Sequence, residues 1–341
     1  MITSPLVDGS EESLVALHDG ALLDLDGVLY VGPAAVPGAA EAVAKARAAG
    51  TRVAFVTNNA SRTPQTVAAH LSDLGIAADP LDVVTSAQAA ASLVAAAVPP
   101  GSAVLVVGGE GLEAAALERD LRPVRTMADG PVAVVQGFGP DVGWRLLAEG
   151  AYAVRAGLPW VASNLDVTIP TAAGIAPGNG TLVEVIAMAT GRRPAVAGKP
   201  ETPLYAEAVR RLGAERPVVV GDRLDTDIEG ANRAGLPSLL VLTGVTTPAD
   251  LVLAQAPLRP TYVSRDLLDG LLQPHPPVTL TTSTGGWRCG GWECTVVDDG
   301  IDLTGAGDAV DGLRALCAAV WSKDEGVDLT HVGHVLQRLG L

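Results

Sequence analysis

The chain has 341 residues, 48% apolar and 18% charged, which is enough apolar material for two or three buried cores and excludes a disordered chain. Its net charge of −15 repels nucleic-acid backbones and acidic membrane surfaces, so neither is an expected partner. Cys289, Cys294 and Cys317 form neither a disulfide framework nor a zinc spacing, and no basic segment leading into an apolar stretch opens the chain, so a reducing, cytoplasmic setting is expected.

In chain order, residues 21–25 read as a short apolar strand ending in carboxylates. An Ala-rich helix follows over 37–49, stopped by Gly50, then a strand over 52–56 and a helix over 64–74, stopped by Gly75. The apolar run at 87–98 ends at Pro99-Pro100, too short to span a bilayer. Strands are expected at 103–107, 132–136 and 160–162, with helices between them and another over 182–189. A helix over 203–212, a strand over 218–220, a helix over 225–234 and strands at 238–242 and 262–264 complete the rhythm. Alternation of this kind predicts parallel sheets with helices on both faces. Beyond Gly270 the texture changes. Residues 274–286 read as a linker, followed by a short strand pair and a helix over 309–321, too small to hold a core alone and expected to pack on the main body.

Three strand ends carry polar groups suited to phosphate. Asp24 and Asp26 are two apart, so both are expected to project from one strand end into the crevice where open α/β sheets bind ligands. Two close carboxylates tolerate one another when a cation or a shared proton lies between them. Thr57-Asn58 supplies a hydroxyl and backbone N–H groups for phosphate oxygens. Asp222, after Gly221, is a hard oxygen ligand for Mg²⁺, with Asp225 and Asp227 close behind. Lys199, between Gly198 and Pro200, supplies the positive charge that an acidic protein needs beside a phosphate ester.

These strings resemble the four motifs of the haloacid dehalogenase-like (HAD) phosphatase superfamily. Thr57-Asn58-Asn59-Ala60-Ser61-Arg62 and Gly221-Asp222-Arg223-Leu224-Asp225-Thr226-Asp227 are similar to those of its class IIA branch, which includes nitrophenyl-phosphatase-like enzymes. The resemblance implies a doubly wound parallel-sheet core in two segments, 1–79 and 195–270, with an α/β cap inserted at 80–194 and a C-terminal stretch at 271–341. It implies hydrolysis of a phosphomonoester through an aspartyl-phosphate. Asp24 would be the nucleophile and Asp26 the acid and base. Mg²⁺ would sit on Asp24, the Asp26 carbonyl and Asp222, with Asp227 in its outer shell. Thr57, Asn58, Asn59 and Lys199 would bind phosphate. The string Asn164-x-Asp166 through Gly180 resembles the return from cap to core, which puts Ile169 in the loop that reads the leaving group. The resemblance also allows a homodimer through the cap.

The C-terminal stretch resembles that of glycerol-3-phosphate phosphatases carrying an acetyltransferase-like region. It lacks an R/Q-x-x-G-x-G/A loop, so a structural or regulatory role is expected rather than acetyl transfer. Glycerol 3-phosphate is accordingly the leading substrate. A nucleotide monophosphate, phosphoglycolate or a sugar phosphate is the alternative, and a non-catalytic phosphoester-binding protein is the reading of another class. Asp302-Leu303-Thr304-Gly305-Ala306-Gly307-Asp308 also resembles the anion hole of ribokinase-like sugar kinases, but the domain that fold needs is already used by the motifs above.

Overall fold

The computed structural model describes residues 6–171, 173–282, 285–297, 300–323 and 329–341. They form two compact units, Met1–Val53 with Leu212–Leu341, and Ala54–Arg211.

In the first unit, Gly20–Leu23 lies parallel to Pro217–Gly221, followed outward by the parallel strands Ser238–Val241 and Tyr262–Ser264. Each is a continuous buried run, as strands covered on both faces must be. Leu23 pairs with Val220, so the two central strands end side by side, and Asp24 N–H donates to the Val220 carbonyl at 2.9 Å. Asp24 and Asp222 therefore leave neighbouring strands at the same end of the sheet. The helix expected over 225–234 is interrupted. A wider π-helical turn, Leu224–Ile228, precedes the α-helix Glu229–Ala234: Ile228 N–H donates to the Arg223 carbonyl at 3.1 Å, and the Asp227 carboxylate accepts from Arg223 N–H at 3.2 Å.

The C-terminal stretch is larger than the expected linker, strand pair and single helix. Thr279–Leu280, Trp287–Cys289, Trp292–Val297 and Gly300–Gly305 form a four-stranded antiparallel sheet, followed by the helices Ala309–Trp321 and Leu329–Leu339. The supposed linker thus contributes an edge strand, whose two paired residues are too few to show alternation in the sequence. The second helix does carry an apolar stripe at helical spacing, Val332, Val335, Leu336 and Leu339, all buried. These elements share one apolar cluster with the body of the unit. It joins Trp292, Leu313, Leu316 and Leu336 to Leu240, Leu251, Val263 and the turn residues Leu224 and Ile228.

A polar tie crosses the same contact. Arg314, buried on the helix Ala309–Trp321, donates to the Val263 carbonyl at 2.7 Å, to Asp311 at 2.6 Å and to His275 Nδ1 at 3.1 Å. His275 Nε2 in turn donates to the Gly270 carbonyl at 2.8 Å, and its ring lies against Tyr262. The imidazole is thereby fixed as the neutral tautomer with Nδ1 accepting, since a proton on Nδ1 would face a guanidinium. The three thiols are free and buried, and burial pushes Cys289 and Cys294 up to about 12 and Cys317 higher still.

In the second unit, Arg52–Thr57 pairs in parallel with Val83–Thr85, whose last residue caps the helix Ser86–Ala97 through a reciprocal bond with Gln88. Five parallel strands follow in the spatial order Ala195–Val196, Trp160–Ala162, Ala133–Gln136, Ala103–Val107 and Arg122–Val124. Helices Trp144–Arg155 and Asn179–Thr190 pack on one another and cover Leu105, Val134 and Trp160. Glu207, on the helix Pro203–Leu212, accepts from Arg119, Arg210 and Arg211 at 2.5, 2.7 and 2.5 Å. Burial alone would raise this carboxyl, but the bonds from Arg210 and Arg211 and the charges of Arg211 and Arg119 outweigh it and hold the group below its ordinary value. By contact, then, 54–79 and 195–211 group with the segment expected as the cap, and 271–341 groups with the first unit. Among the described residues no helix is long and apolar enough to cross a membrane.

The His275 geometry carries a pH dependence. Burial, followed by the nearby Arg314 charge and opposed by the Gly270 bond, lowers its pKa from 6.5 to about 4. Between those values the unfolded chain takes up a proton that the native chain refuses. Native stability is complete above pH 6.5 and falls as the pH drops towards 4, by roughly 3 kcal/mol. Urea unfolding midpoints at pH 7 and pH 4.5 should differ by more in the wild type than in His275→Asn. Separately, Arg314→Met strands Asp311 and the Val263 carbonyl and should cost about 3–5 kcal/mol in the same assay.

Candidate active site

In the first unit the acidic residues converge. One carboxylate oxygen each from Asp24, Asp222 and Asp227 lies within 4.8 Å of the others. Asp222 and Asp227 are buried and Asp24 is half-buried, so their mutual repulsion is poorly screened. The protein supplies several backbone donors. Val245 N–H donates to Asp222 Oδ2 at 2.7 Å, and Arg223 N–H donates to Asp227 Oδ2. Arg223 feels the cluster. Its hydrogen bond with Asp225, and then the charges of Asp225, Asp222 and Asp227, hold its guanidinium above the ordinary value against burial.

Two glycines make room for Asp222. Gly27 turns the chain away with φ +79°, and a Cβ there would lie 2.4 Å from the Asp222 carboxyl carbon. A Cβ on Gly244 would lie 2.0 Å from Asp222 Oδ2. Thr243 Oγ1 donates to the Gly27 carbonyl at 2.5 Å and ties the two turns together. Asp26 is exposed just past Asp24, with its side chain outside the three-carboxylate cluster. Three hard oxygens this close form a donor set suited to a small divalent cation.

In the second unit a different cluster forms around Asn58. Thr57 is buried at the strand end, and its Oγ1 accepts from Asn59 N–H at 3.1 Å. The Asn58 carboxamide donates to the Lys199 carbonyl at 3.1 Å and to Asp166 Oδ1 at 3.2 Å, and accepts from Lys199 N–H at 2.8 Å. Lys199 itself is buried and precedes a cis bond to Pro200. Asn59 is used locally, its Oδ1 capping Ser61 and Arg62. Ile169 lies in a hairpin of Thr168–Thr171 with Gly174–Pro177, opposite Ala176 and half-buried. The side chains expected on phosphate thus divide. Asn58 and Asn59 spend theirs inside the protein, and Asn58, next to Thr57 in the chain, holds the backbone of Lys199. Asp166 enters the cluster through Asn58. Its sequence signal was only its place in the string after Asn164, whereas the Val245 N–H has no signal at all.

Residues 21–122 match haloacid dehalogenase-like hydrolase sequences, and 196–270 match a second HAD-hydrolase-like family. The chain is 47% identical over 314 residues to the D-glycerol 3-phosphate phosphatase of Mycobacterium tuberculosis, covering 91% of this chain and 88% of that one. This chain belongs to the haloacid dehalogenase-like hydrolase family. Within that HAD family, acid sugar phosphatases of Staphylococcus aureus are 35% identical over 74% of this chain and 96% of theirs. The crystal structure of the Mycobacterium tuberculosis glycerol phosphate phosphatase in complex with magnesium superposes with a TM-score of 0.87 at 44% identity, over 96% of this chain and 99% of that one. A p-nitrophenyl phosphatase from Archaeoglobus fulgidus gives 0.69 at 29% identity, over 74% and 98%. Residues 289–341 match a GCN5-related N-acetyltransferase like domain. In that HAD extension the Gly305-Ala306-Gly307 turn joins strand to helix. Asp308 occupies the helix start, accepting from Val310 N–H at 2.7 Å and pairing with Arg265 at 2.9 Å.

Gly244→Ala should displace Asp222 and weaken divalent-cation binding about 10–100-fold, as changes behind a metal ligand do. Isothermal titration with the metal alone reads this. Unchanged affinity would place the ion elsewhere.

Proposed function

We propose that this HAD hydrolase is a magnesium-dependent phosphatase whose substrate is glycerol 3-phosphate, releasing glycerol and phosphate. One observation carries the substrate. The glycerol phosphate phosphatase matches nearly the whole chain, extension included, whereas the sugar and nitrophenyl phosphatases match only 74% of it. The sugar phosphatases, at 35% identity, keep a sugar phosphate as the second reading.

The carboxylate cluster fits a magnesium ion. Asp24 and Asp222 would hold it with Asp227 close behind, and the Asp26 carbonyl is assigned to the same ion by the family resemblance. When bound, the ion offsets the repulsion between Asp24 and an incoming phosphate and neutralises charge in transit. An Asp24 oxygen attacks phosphorus and the bond to the glycerol oxygen breaks. Asp26 gives its proton to that leaving oxygen. The Asp26 carboxylate then takes a proton from a water molecule that attacks the same phosphorus. The bond to Asp24 breaks and free phosphate leaves. Thr57 and Lys199 are assigned to the phosphoryl oxygens, and Ile169 to the leaving group. Exposure supports the role of Asp26, since a group that exchanges protons with leaving group and water must be reached by both. Three buried free thiols support a reducing setting such as the cytoplasm. Exposed Trp144, Tyr152 and Met188, on two helices that pack together, support pairing of two copies through the second unit.

Phosphate release from a panel of monoesters should peak on glycerol 3-phosphate, stop with EDTA and vanish in Asp24→Asn. A peak on sugar phosphates would transfer the substrate assignment and keep the chemistry. Asp26→Ala should slow glycerol 3-phosphate about 10²–10⁴-fold and p-nitrophenyl phosphate far less, because nitrophenolate leaves without a proton. Equal losses would remove Asp26 as the acid.

A further inference from the structure

Asn58 follows Thr57, the threonine assigned to phosphate, yet its carboxamide is used inside the protein. Its oxygen accepts from Lys199 N–H at 2.8 Å, and its nitrogen donates to the carbonyl of the same residue at 3.1 Å. Bonding both polar groups of one residue fixes that residue's backbone in position and in rotation, as a strand partner would. The second hydrogen of the nitrogen goes to Asp166 Oδ1 at 3.2 Å. A carboxamide is nearly symmetric in shape. Turned over, it would set oxygen against the Lys199 carbonyl and N–H against the Lys199 N–H. A carboxylate beside the nitrogen accepts only, so it selects the productive orientation.

The parts on either side of this link are themselves held. The Asn58 carbonyl accepts from Ser86 Oγ at 2.5 Å and from Asn164 Nδ2 at 2.7 Å. Asn164 Oδ1 accepts from Asp166 N–H at 3.1 Å, which forms the turn that presents the Asp166 carboxylate. Asn179 Nδ2 donates to the Asn164 carbonyl at 2.7 Å, and Gly180 N–H donates to the Asp166 carbonyl at 2.9 Å, so the turn is anchored on the first residues of the helix Asn179–Thr190. Gly198 allows the close approach, since a Cβ there would lie 2.6 Å from Asn58 Oδ1.

We infer that Asp166 and Asn58 are positioning residues for Lys199. Asp166 orients the Asn58 carboxamide, and the carboxamide sets the backbone from which the lysine reaches phosphate. The second half of this statement rests on the phosphatase reading. The first half does not.

Two measurements separate them. Amide hydrogen exchange in the peptide containing Gly198 and Lys199 should quicken about tenfold or more in Asn58→Ala and Asp166→Ala, and by less in Asp166→Asn, whose carboxamide can offer an oxygen without enforcing it. Unchanged exchange in Asp166→Ala overturns the orienting role, whether or not the protein hydrolyses anything. Steady-state kinetics on p-nitrophenyl phosphate then test the route to the lysine. Asn58→Ala should lower kcat about 10²-fold in the wild type. In a Lys199→Met background the same change should cost less than about threefold, because the group it positions is gone. Losses that multiply across the two backgrounds overturn the proposal and give Asn58 its own contact with phosphate. Asp166→Asn should recover part of the rate lost in Asp166→Ala, and no recovery counts against orientation by an acceptor. If the wild type hydrolyses no ester, the phosphatase reading fails, and the exchange result alone decides the relay.

Discussion

Mutual repulsion among Asp24, Asp222 and Asp227 is the constraint around which the first unit is arranged. Charges this close and this shielded from water stay together only if the fold forces them to and a cation joins them. The forcing is backbone work. Two parallel strands in register end together, a π-helical turn throws the Asp227 carboxylate back onto the strand end, and two glycine turns close over Asp222. None of these devices uses a long flexible side chain, so little conformational entropy is spent holding the oxygens in place.

Behind that turn lies the apolar cluster shared with the extension. Leu224 and Ile228 flank the acidic residues and are buried with Trp292, Leu313 and Leu336. The extension is therefore part of the wall that the acidic turn leans on. Within the stretch that matches the acetyltransferase-like domain, the start of the helix Ala309–Trp321 is occupied by Asp308, a charge of the protein's own, held by Arg265. In the second unit a comparable economy operates, where a single carboxamide joins three chain segments distant in sequence.

Legibility in the sequence followed the range of the interaction. Strands such as 103–107 and 160–162, and the helices over 203–212 and 309–321, coincide with the structure because their apolar period and their Pro or Gly stops are local. Asp24 and Asp222 were legible because each closes an apolar run. The π-helical turn was not, because Asp225 and Asp227 after Gly221 read as an ordinary acidic helix start and no local period marks a widened turn. The edge strand Thr279–Leu280 was not, because its pairing is with residues 287–288 and its own two residues carry no period. The use of Asn58 was hidden for a similar reason. Its partners lie more than 100 residues away, at Asp166 and Lys199, and nothing near it in the chain distinguishes a carboxamide aimed at phosphate from one aimed at a backbone.

The pairing of Gly20–Leu23 with Pro217–Gly221 also bears on how the chain is made. Gly20–Leu23 emerges early in synthesis, and its partner Pro217–Gly221 follows about 200 residues later. Between them, Ala54–Arg211 contains every strand of a separate five-membered sheet. The apolar cluster of the first unit also draws on Val335, Leu336 and Leu339 of the helix Leu329–Leu339. Segments on both sides of Ala54–Arg211 must therefore have been made before the sheet and the cluster of the first unit can be complete, so that unit folds as a late, long-range event.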